Sequence, residues 1–153
     1  MKTLTIGLAL SGLLFVAAGA SPSVADPPAE KSNVATYPTV ASPAFAAAST
    51  GVTLFDVREP KEWAETGMPA MAHGVPISSP DFVERVLAEV GGDKSKPVAV
   101  ICKSGTRSTR AADKLAAAGF TNVTNVGDGM MGHEGVGPGW LAAKLPTKPY
   151  AAQ

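Results

Sequence analysis

The chain has a single cysteine, and the residues that follow it are suited to nucleophilic sulfur chemistry. The segment Cys102-Lys103-Ser104-Gly105-Thr106-Arg107-Ser108 is mostly small and polar, and Gly105 permits a tight curve. Such a loop turns successive backbone N–H groups toward one anion, and a helix that begins after it adds its positive end. Lys103 and Arg107 supply two positive charges nearby. These effects stabilise a thiolate over a thiol, so we predict that Cys102 is a reactive nucleophile.

A lone cysteine also has less active explanations. Cys102 has no partner for a disulfide within the chain, so it is a buried inert side chain, a link between two copies, or a working thiol. A core cysteine needs neither a glycine nor two cations beside it, which favours the working thiol. A thiol buried among hydrocarbon groups, with the neighbouring amides turned away and both cations in solvent, would exclude this interpretation.

Sequence patterns place the cysteine loop between a strand and a helix. Val98–Ile101 is the strongest strand pattern and runs into Cys102, and residues 107–118 have a helical pattern. Ser42 and Ser79, each followed by proline, are predicted to begin helices. Alternating strands and helices predict a parallel sheet covered on both faces, with ligands at the strand ends. The other predicted elements are strands at 52–57, 75–77 and 122–126, helices at 44–48, 60–66 and 80–90, and a helical turn at 140–144.

The first 25 residues have the pattern of an export signal. Lys2 is followed by an apolar run over residues 4–18, too short to cross a bilayer, and cleavage is predicted after Ala20 or Ala25. Residues 26–37, rich in proline, alanine and polar residues, predict a flexible lead-in, and residues 38–153 predict one domain. We therefore expect a periplasmic or secreted protein that has no membrane attachment after cleavage.

The charge balance argues against nucleic acid as a partner. The chain has 13 Lys and Arg against 13 Asp and Glu, which gives a formal net charge of zero. No run of basic residues follows the predicted signal, so the electrostatic footprint of nucleic-acid binding is missing from the sequence.

Five segments together resemble the rhodanese-like domain family. In order, they read LFDVREPKEW, VICKSGTRS, RAADKLAAAGF, TNVTNVGDG and GWLAAKLP. The cysteine loop and the DVRE block make the resemblance specific, and it spans residues 38–146. It implies a three-layer α/β fold with a central, mostly parallel sheet flanked by helices. It also implies transfer of sulfane sulfur from thiosulfate or a similar donor to cyanide or a thiol, through a cysteine persulfide and without a cofactor.

The resemblance assigns roles to individual residues. Cys102 matches the cysteine that accepts sulfur, and Arg107 would help to bind an anionic donor. The spacing C-x4-R is one residue shorter than the C-x5-R of related phosphatases, which favours sulfur transfer over phosphatase activity. Asp56 and Arg58 match the family's D-x-R pair. For Asp56 the alternative to a direct part in the site is capping or hydrogen bonding of the next helix start, and for Arg58 it is an ion pair or a surface charge. The complete set of predicted substrate-binding residues is Lys103, Ser104, Gly105, Thr106, Arg107, Asp56 and Arg58.

Two segments depart from the family pattern. Met68 stands where the family commonly has a histidine, which leaves the role of His73 open. Residues 129–139 are glycine-rich and longer than the usual link, and we expect them to shape or cover the pocket. We assign no metal site, although methionine and histidine suit Cu(I) and methionines also fill irregular gaps. The residues concerned are Met68, Met71 and His73 in one loop and Met130, Met131 and His133 in the other.

The same pocket would serve a second function. A non-catalytic sulfur carrier or sensor would exchange sulfur with a dedicated protein partner and turn over small donors slowly. Ping-pong turnover that disappears in Cys102→Ser supports the enzyme, whereas a persulfide formed only with a partner protein supports the carrier. A redox thiol protein is disfavoured because the chain lacks a resolving cysteine.

Overall fold

The central feature of the computed structural model, which describes residues 36–151, is a five-stranded parallel sheet. Its strands are β1 (Thr39–Val40), β2 (Thr53–Asp56), β4 (His73–Gly74), β5 (Val98–Ile101) and β6 (Val123–Val126). They lie in the spatial order β1-β6-β5-β2-β4. Two further strands, β3 (Met68–Pro69) and β7 (Thr147–Lys148), pair with each other in an antiparallel ribbon.

Helices cover both faces of the sheet. They are α1 (Ser42–Ala48), α2 (Pro60–Thr66), α3 (Phe82–Glu89) and α4 (Thr106–Ala117). Side chains alternate along β5, so that Val98 and Val100 pack with α3 and α4 while Ala99 and Ile101 pack with α1 and Trp140. The predicted three-layer α/β fold with a parallel central sheet is confirmed.

Three adjacent strands of the sheet end at the same level. Ile101 at the end of β5 is in register with Asp56 at the end of β2 and with Val126 at the end of β6. The connections that follow these strands therefore start side by side at one edge. Cys102 is the first residue of the middle connection, so the topology gives it neighbours from both sides.

Two helix starts differ from the predictions. Ser42 lies inside α1, after Ala41, and its hydroxyl donates to Asp128 at 2.6 Å instead of capping the helix. Helix α3 begins at Phe82 after Asp81, so the predicted start at Pro80 with a Ser79 cap is wrong. In both places the serine-proline pair marks a turn before or at the helix. The serine-proline pairs predict side-chain caps, whereas the Ser42 hydroxyl makes a tertiary contact with Asp128 and the Ser79 carbonyl accepts the Phe82 N–H in a backbone turn.

Short elements account for the other differences. The strand predicted at residues 75–77 lies at His73–Gly74. The Val75 N–H still donates to the carbonyl of Asp56, the last residue of β2, at 3.1 Å, and the Ile77 N–H donates to the Val57 carbonyl at 3.2 Å. Residues 140–144 form hydrogen-bonded turns, with Ala143 N–H donating to Gly139 at 3.0 Å. The strands β1, β3 and β7 were not predicted, because two residues show no periodicity.

The predicted export signal and most of the predicted lead-in lie outside the described residues. At the end of the lead-in, the hydroxyl of Tyr37 donates to Thr109 O at 3.1 Å and contacts Asp113 at 2.7 Å, both on α4. Burial, followed by the Asp113 carboxylate, raises the pKa of Tyr37 to about 12. Across residues 36–151, the helices are all too short or too polar to cross a bilayer.

Candidate active site

The sulfur of Cys102 is buried but has polar neighbours. The residue is 1% exposed and belongs to the apolar cluster beneath α4. The Gly105 N–H donates to Sγ at 3.1 Å, and the thiol lies 3.5 Å from the hydroxyl of Ser108. Ser108 donates in turn to the Gly105 carbonyl at 2.9 Å. The condition that would have excluded a working thiol is therefore not met, because an amide faces the sulfur.

Glycine is required at position 105 for two reasons. Its φ is +95°, a conformation that L side chains rarely adopt, and a Cβ would overlap the carbonyl oxygen of Gly127 in the next connection. This conformation directs the Gly105 N–H to the sulfur just before α4 begins at Thr106. The predicted tight curve is present, and the start of α4 lies beside the thiol.

The two cations of the loop have different environments. Lys103 is exposed, and its side chain makes no hydrogen bond to another described residue. Arg107 is half-buried, and its two terminal nitrogens donate to the two carboxylate oxygens of Glu62 at 2.5 and 2.7 Å. Its pKa is raised, mainly by the hydrogen bond to Glu62, then by the charges of Glu62, Cys102 and Glu59, while burial opposes the rise. The Arg107 guanidinium is therefore held by Glu62 at the start of α4.

Glu62 belongs to the site although the sequence did not indicate it. It occupies the first turn of α2, where its carboxylate also accepts the N–H of Glu59 at 3.1 Å. The hydrogen bond from Arg107, reinforced by that N–H, lowers the pKa of Glu62 to about 2 despite partial burial. Glu62 is therefore ionised at neutral pH and joins α2 to the start of α4.

The remaining loop residues face a cavity of about 220 Å³ beside β6. Ser104 is half-buried and Thr106 is exposed. Residues of β1, β6 and the glycine-rich segment complete the wall of this cavity, whose lining does not include Cys102. That the segment shapes or covers the pocket of the cysteine stays a prediction. The cavity is lined by Thr39, Ser104, Gly105, Thr106, Thr109, Asn125, Gly127, His133 and Val136.

The glycine-rich segment is also bonded to the backbone of the cysteine loop. Met130 N–H donates to the Cys102 carbonyl, and Met131 N–H donates to the Lys103 carbonyl, both at 2.9 Å. Gly129 has φ +62°, and a Cβ there would lie 2.6 Å from the Lys103 carbonyl. This close approach explains the glycine and fixes the outer side of the loop.

Asp56 and Arg58 form a buried ion pair. Arg58 is 1% exposed, and its nitrogens donate to Asp56 at 2.7 to 3.1 Å. It also donates to Thr66 at 2.8 Å and to the Gly67 carbonyl at 2.7 Å, at the end of α2. Among residues 36–151, no hydrogen bond or ion pair links this pair to the cysteine loop. A direct contact of either residue with substrate stays a prediction.

Each of the two loops that contain methionine and histidine has one buried and one exposed methionine. Met68 and Met130 are buried in the core, whereas Met71 and Met131 are 44% and 54% exposed. His73 lies 3.0 Å from Glu89 on the surface. In the part of the chain that the structure describes, no group of three His, Cys, Asp or Glu residues is arranged to hold a metal ion.

Ser108 is the second site residue that sequence reasoning missed. It is fully buried, and it contacts both the sulfur and the carbonyl of Gly105. A signal was present, because a serine in the first turn of the helix after a nucleophile loop faces back toward that loop. The partner of Arg107 left no such signal, since Glu62 is 45 positions away.

The fold and the site define a parallel α/β protein with a cysteine loop that joins its central strand to the start of a helix. A model of the rhodanese-like domain family matches residues 44–134, and the chain belongs to this family. It is 34% identical over 106 residues to thiosulfate sulfurtransferase 16, chloroplastic, of Arabidopsis thaliana, covering 64% of this chain and 81% of that protein.

Two solved structures extend the comparison. A rhodanese with anions from E. coli is 26% identical, has a TM-score of 0.50, and covers 65% of this chain and 99% of its own. The polysulfide-sulfur transferase homodimer of Wolinella succinogenes is 27% identical, has a TM-score of 0.54, and covers 75% of this chain and 80% of its own. Sulfurtransferases are thus among the relatives of this chain.

Proposed function

We propose that this protein is a sulfurtransferase that carries sulfane sulfur on Cys102 as a persulfide. Its donor is thiosulfate or a similar small anion, and its acceptor is cyanide or a thiol. The observation that carries the proposal is the Gly105 N–H directed at Sγ, at 3.1 Å, in a loop between the central strand and a helix start. The similarity to a thiosulfate sulfurtransferase supports the same chemistry.

The first half of the proposed reaction loads the cysteine. The Cys102 thiolate attacks the outer sulfur of thiosulfate, a bond forms between the two sulfurs, and the electron pair of the broken S–S bond leaves with sulfite. Loop N–H groups and Lys103 attract the donor, and Arg107 adds N–H donors that Glu62 does not occupy. The Ser108 hydroxyl stabilises the charge on sulfur by turning from the Gly105 carbonyl toward Sγ.

The second half unloads the cysteine. Cyanide or a thiolate attacks the outer sulfur of the persulfide, and Cys102 leaves as the thiolate, which restores the starting state. The same amide that holds the thiolate lies beside the persulfide anion. The two half-reactions give ping-pong kinetics, and neither requires a metal or an organic cofactor.

A sulfur carrier is the second candidate function. The observation that favours it is the 1% exposure of Cys102, because a shielded persulfide survives until a partner protein arrives. In that case a protein acceptor replaces cyanide or a small thiol. Small donors then load Cys102 slowly or only in the presence of the partner.

Intact-mass spectrometry and steady-state kinetics test the proposal together. After thiosulfate treatment we expect one added sulfur atom on the protein, and ping-pong turnover of thiosulfate and cyanide. Cys102→Ser should lose both, whereas wild-type protein treated with sulfite, which has no sulfane sulfur, should stay unmodified. Loading of Cys102→Ser, or no loading of the wild type by any donor or partner, would exclude Cys102 as the sulfur carrier.

The proposed location is the periplasm or the exterior of the cell. Its support is the signal-like pattern of residues 1–25, which precedes the described part of the chain. Cell fractionation with mass analysis of the mature N-terminus tests this proposal, and we expect a chain that begins at Ser21 or Asp26. A full-length chain in the cytoplasm would contradict it.

A further inference from the structure

Glu62 binds the guanidinium of Arg107, the arginine at the end of the cysteine loop. Both terminal nitrogens of Arg107 donate to the Glu62 carboxylate, at 2.5 and 2.7 Å. The two side chains are 29% and 24% exposed, so water screens the pair only in part. The Glu59 N–H holds the same carboxylate at 3.1 Å, which fixes Glu62 on the first turn of α2. Two elements of the fold therefore position this ion pair, and it is not an incidental surface contact.

The pair changes the electrostatic character of the site. A guanidinium that donates both terminal nitrogens to one carboxylate has only its remaining N–H groups for another anion. The charge of Arg107 is offset by Glu62, and Glu59 adds a second carboxylate that acts on the same guanidinium. Lys103 is then the cation of the loop that has no partner among the described residues.

We infer that Glu62 is a specificity-determining residue that favours singly charged sulfur donors over doubly charged ones. The inference rests on the proposed function and concerns the donor that loads Cys102. A carboxylate beside the donor site repels a dianion about twice as strongly as a monoanion at the same distance. The backbone N–H of Gly105 and the single charge of Lys103 suffice for a monoanion, but they leave a dianion incompletely neutralised.

Two donors isolate the effect of charge. Thiosulfate is a dianion and methanethiosulfonate is a monoanion, and both carry a terminal sulfane sulfur bonded to an oxidised sulfur. With either donor the Cys102 thiolate forms a bond to the terminal sulfur and the S–S bond of the donor breaks. The electron pair leaves with sulfite in one case and with methanesulfinate in the other. The transferred atom and the broken bond are the same, whereas the donor charge differs by one.

The test compares kcat/KM for the two donors in Glu62→Gln and in a matched control. Glutamine still accepts the Glu59 N–H but lacks the charge, and Glu65→Gln removes an exposed carboxylate from the same helix. In Glu62→Gln the ratio of thiosulfate to methanethiosulfonate efficiency should rise on the order of fivefold, and less at high salt. In Glu65→Gln the ratio should stay at the wild-type value. In Glu62→Asp, which keeps the charge in a shorter side chain, the same ratio should stay near the wild-type value.

The outcomes separate this inference from the proposed function. An unchanged or lower ratio in Glu62→Gln, while both donors still load Cys102, overturns the inference alone. So does an equal loss for both donors, because that result indicates a structural role. If neither donor adds sulfur to Cys102 in the wild type, the proposed function fails, and the inference fails with it. If Glu62→Gln does not fold, Glu62→Ser with the same pair of donors decides by the same criterion.

Discussion

The hydroxyl of Ser108 contacts both the sulfur of Cys102 and a backbone carbonyl of the cysteine loop. Its hydroxyl donates to the Gly105 carbonyl at 2.9 Å and lies 3.5 Å from the sulfur of Cys102. When Cys102 is a thiol, the S–H group is the donor to Ser108. When it is a thiolate or a persulfide anion, the hydroxyl proton is free to turn toward sulfur. A single serine therefore adapts to both states of the proposed reaction cycle.

Ser108→Ala should slow the loading of Cys102. A hydrogen bond to a charged group contributes about 1.5–3 kcal/mol, so we expect the rate of persulfide formation to fall roughly tenfold or more. Rapid mixing with thiosulfate, acid quenching at a series of times and intact-mass analysis measure that rate. Thr109→Ala is the control, because Thr109 donates to the same Gly105 carbonyl at 3.0 Å without contacting sulfur. Equal effects of the two substitutions would assign Ser108 to loop stability instead.

At the scale of the elements, the strands, helices and turns that depend on local sequence patterns could be predicted. The run Val98–Ile101 is predicted as a strand because four consecutive apolar residues suit a strand covered on both faces, and the structure buries all four in the middle strand of the sheet. Gly105 marked the tight curve for a similar reason, since its φ of +95° favours glycine. These features depend on residues that are neighbours in the chain.

Features that depend on distant residues were missed. The Arg107–Glu62 contact joins positions 45 apart, and nothing local distinguishes Glu62 from the exposed Glu65 on the same helix. The local pattern predicts Ser42 as a helix cap, because its hydrogen bond to the Asp128 carboxylate, 86 positions away, has no local signature. The loop could thus be predicted from the sequence, whereas the partners that set its charge required the fold.

The Asp56–Arg58 ion pair connects two elements of the fold. It ties the end of β2 to the end of α2, so we expect it to matter first for stability. Arg58→Met should leave Asp56 buried without its cation and lower the free energy of unfolding by about 3–5 kcal/mol. Urea unfolding measures this change. The exposed Arg85→Met should change the unfolding free energy by less than about 0.5 kcal/mol.

A double variant completes this test. Adding Asp56→Asn to Arg58→Met removes the uncompensated charge, so the pair of substitutions should cost less than the sum of the single ones. Strict additivity, or a stable Arg58→Met protein, would show that the ion pair does not hold these two elements together.

For the whole molecule, one edge of the sheet collects contacts from separate parts of the chain. The connections after β2, β5 and β6 start at the same level, because Asp56, Ile101 and Val126 are in register. The first carries α2 with Glu62, the second is the cysteine loop, and the third is the glycine-rich segment. Folding therefore creates the charge environment of the site, and the stability of the fold depends on that environment.

The dependence of stability on pH follows from the Glu62 contact. Arg107 lowers the pKa of Glu62 from 4.5 to about 2, so the folded protein binds the ionised form more strongly than the unfolded chain does. This stabilisation is fully present above a pH of about 4.5 and is lost as the pH falls through about 2. In urea unfolding at a series of pH values, the advantage of the wild type over Glu62→Gln should shrink across that window. Asp93, whose pKa is also lowered, by hydrogen bonds from Ser95, is present in both proteins and cancels in the difference. A difference that stayed constant from neutral pH to about 2 would mean that the Glu62 carboxylate gains nothing from Arg107 on folding.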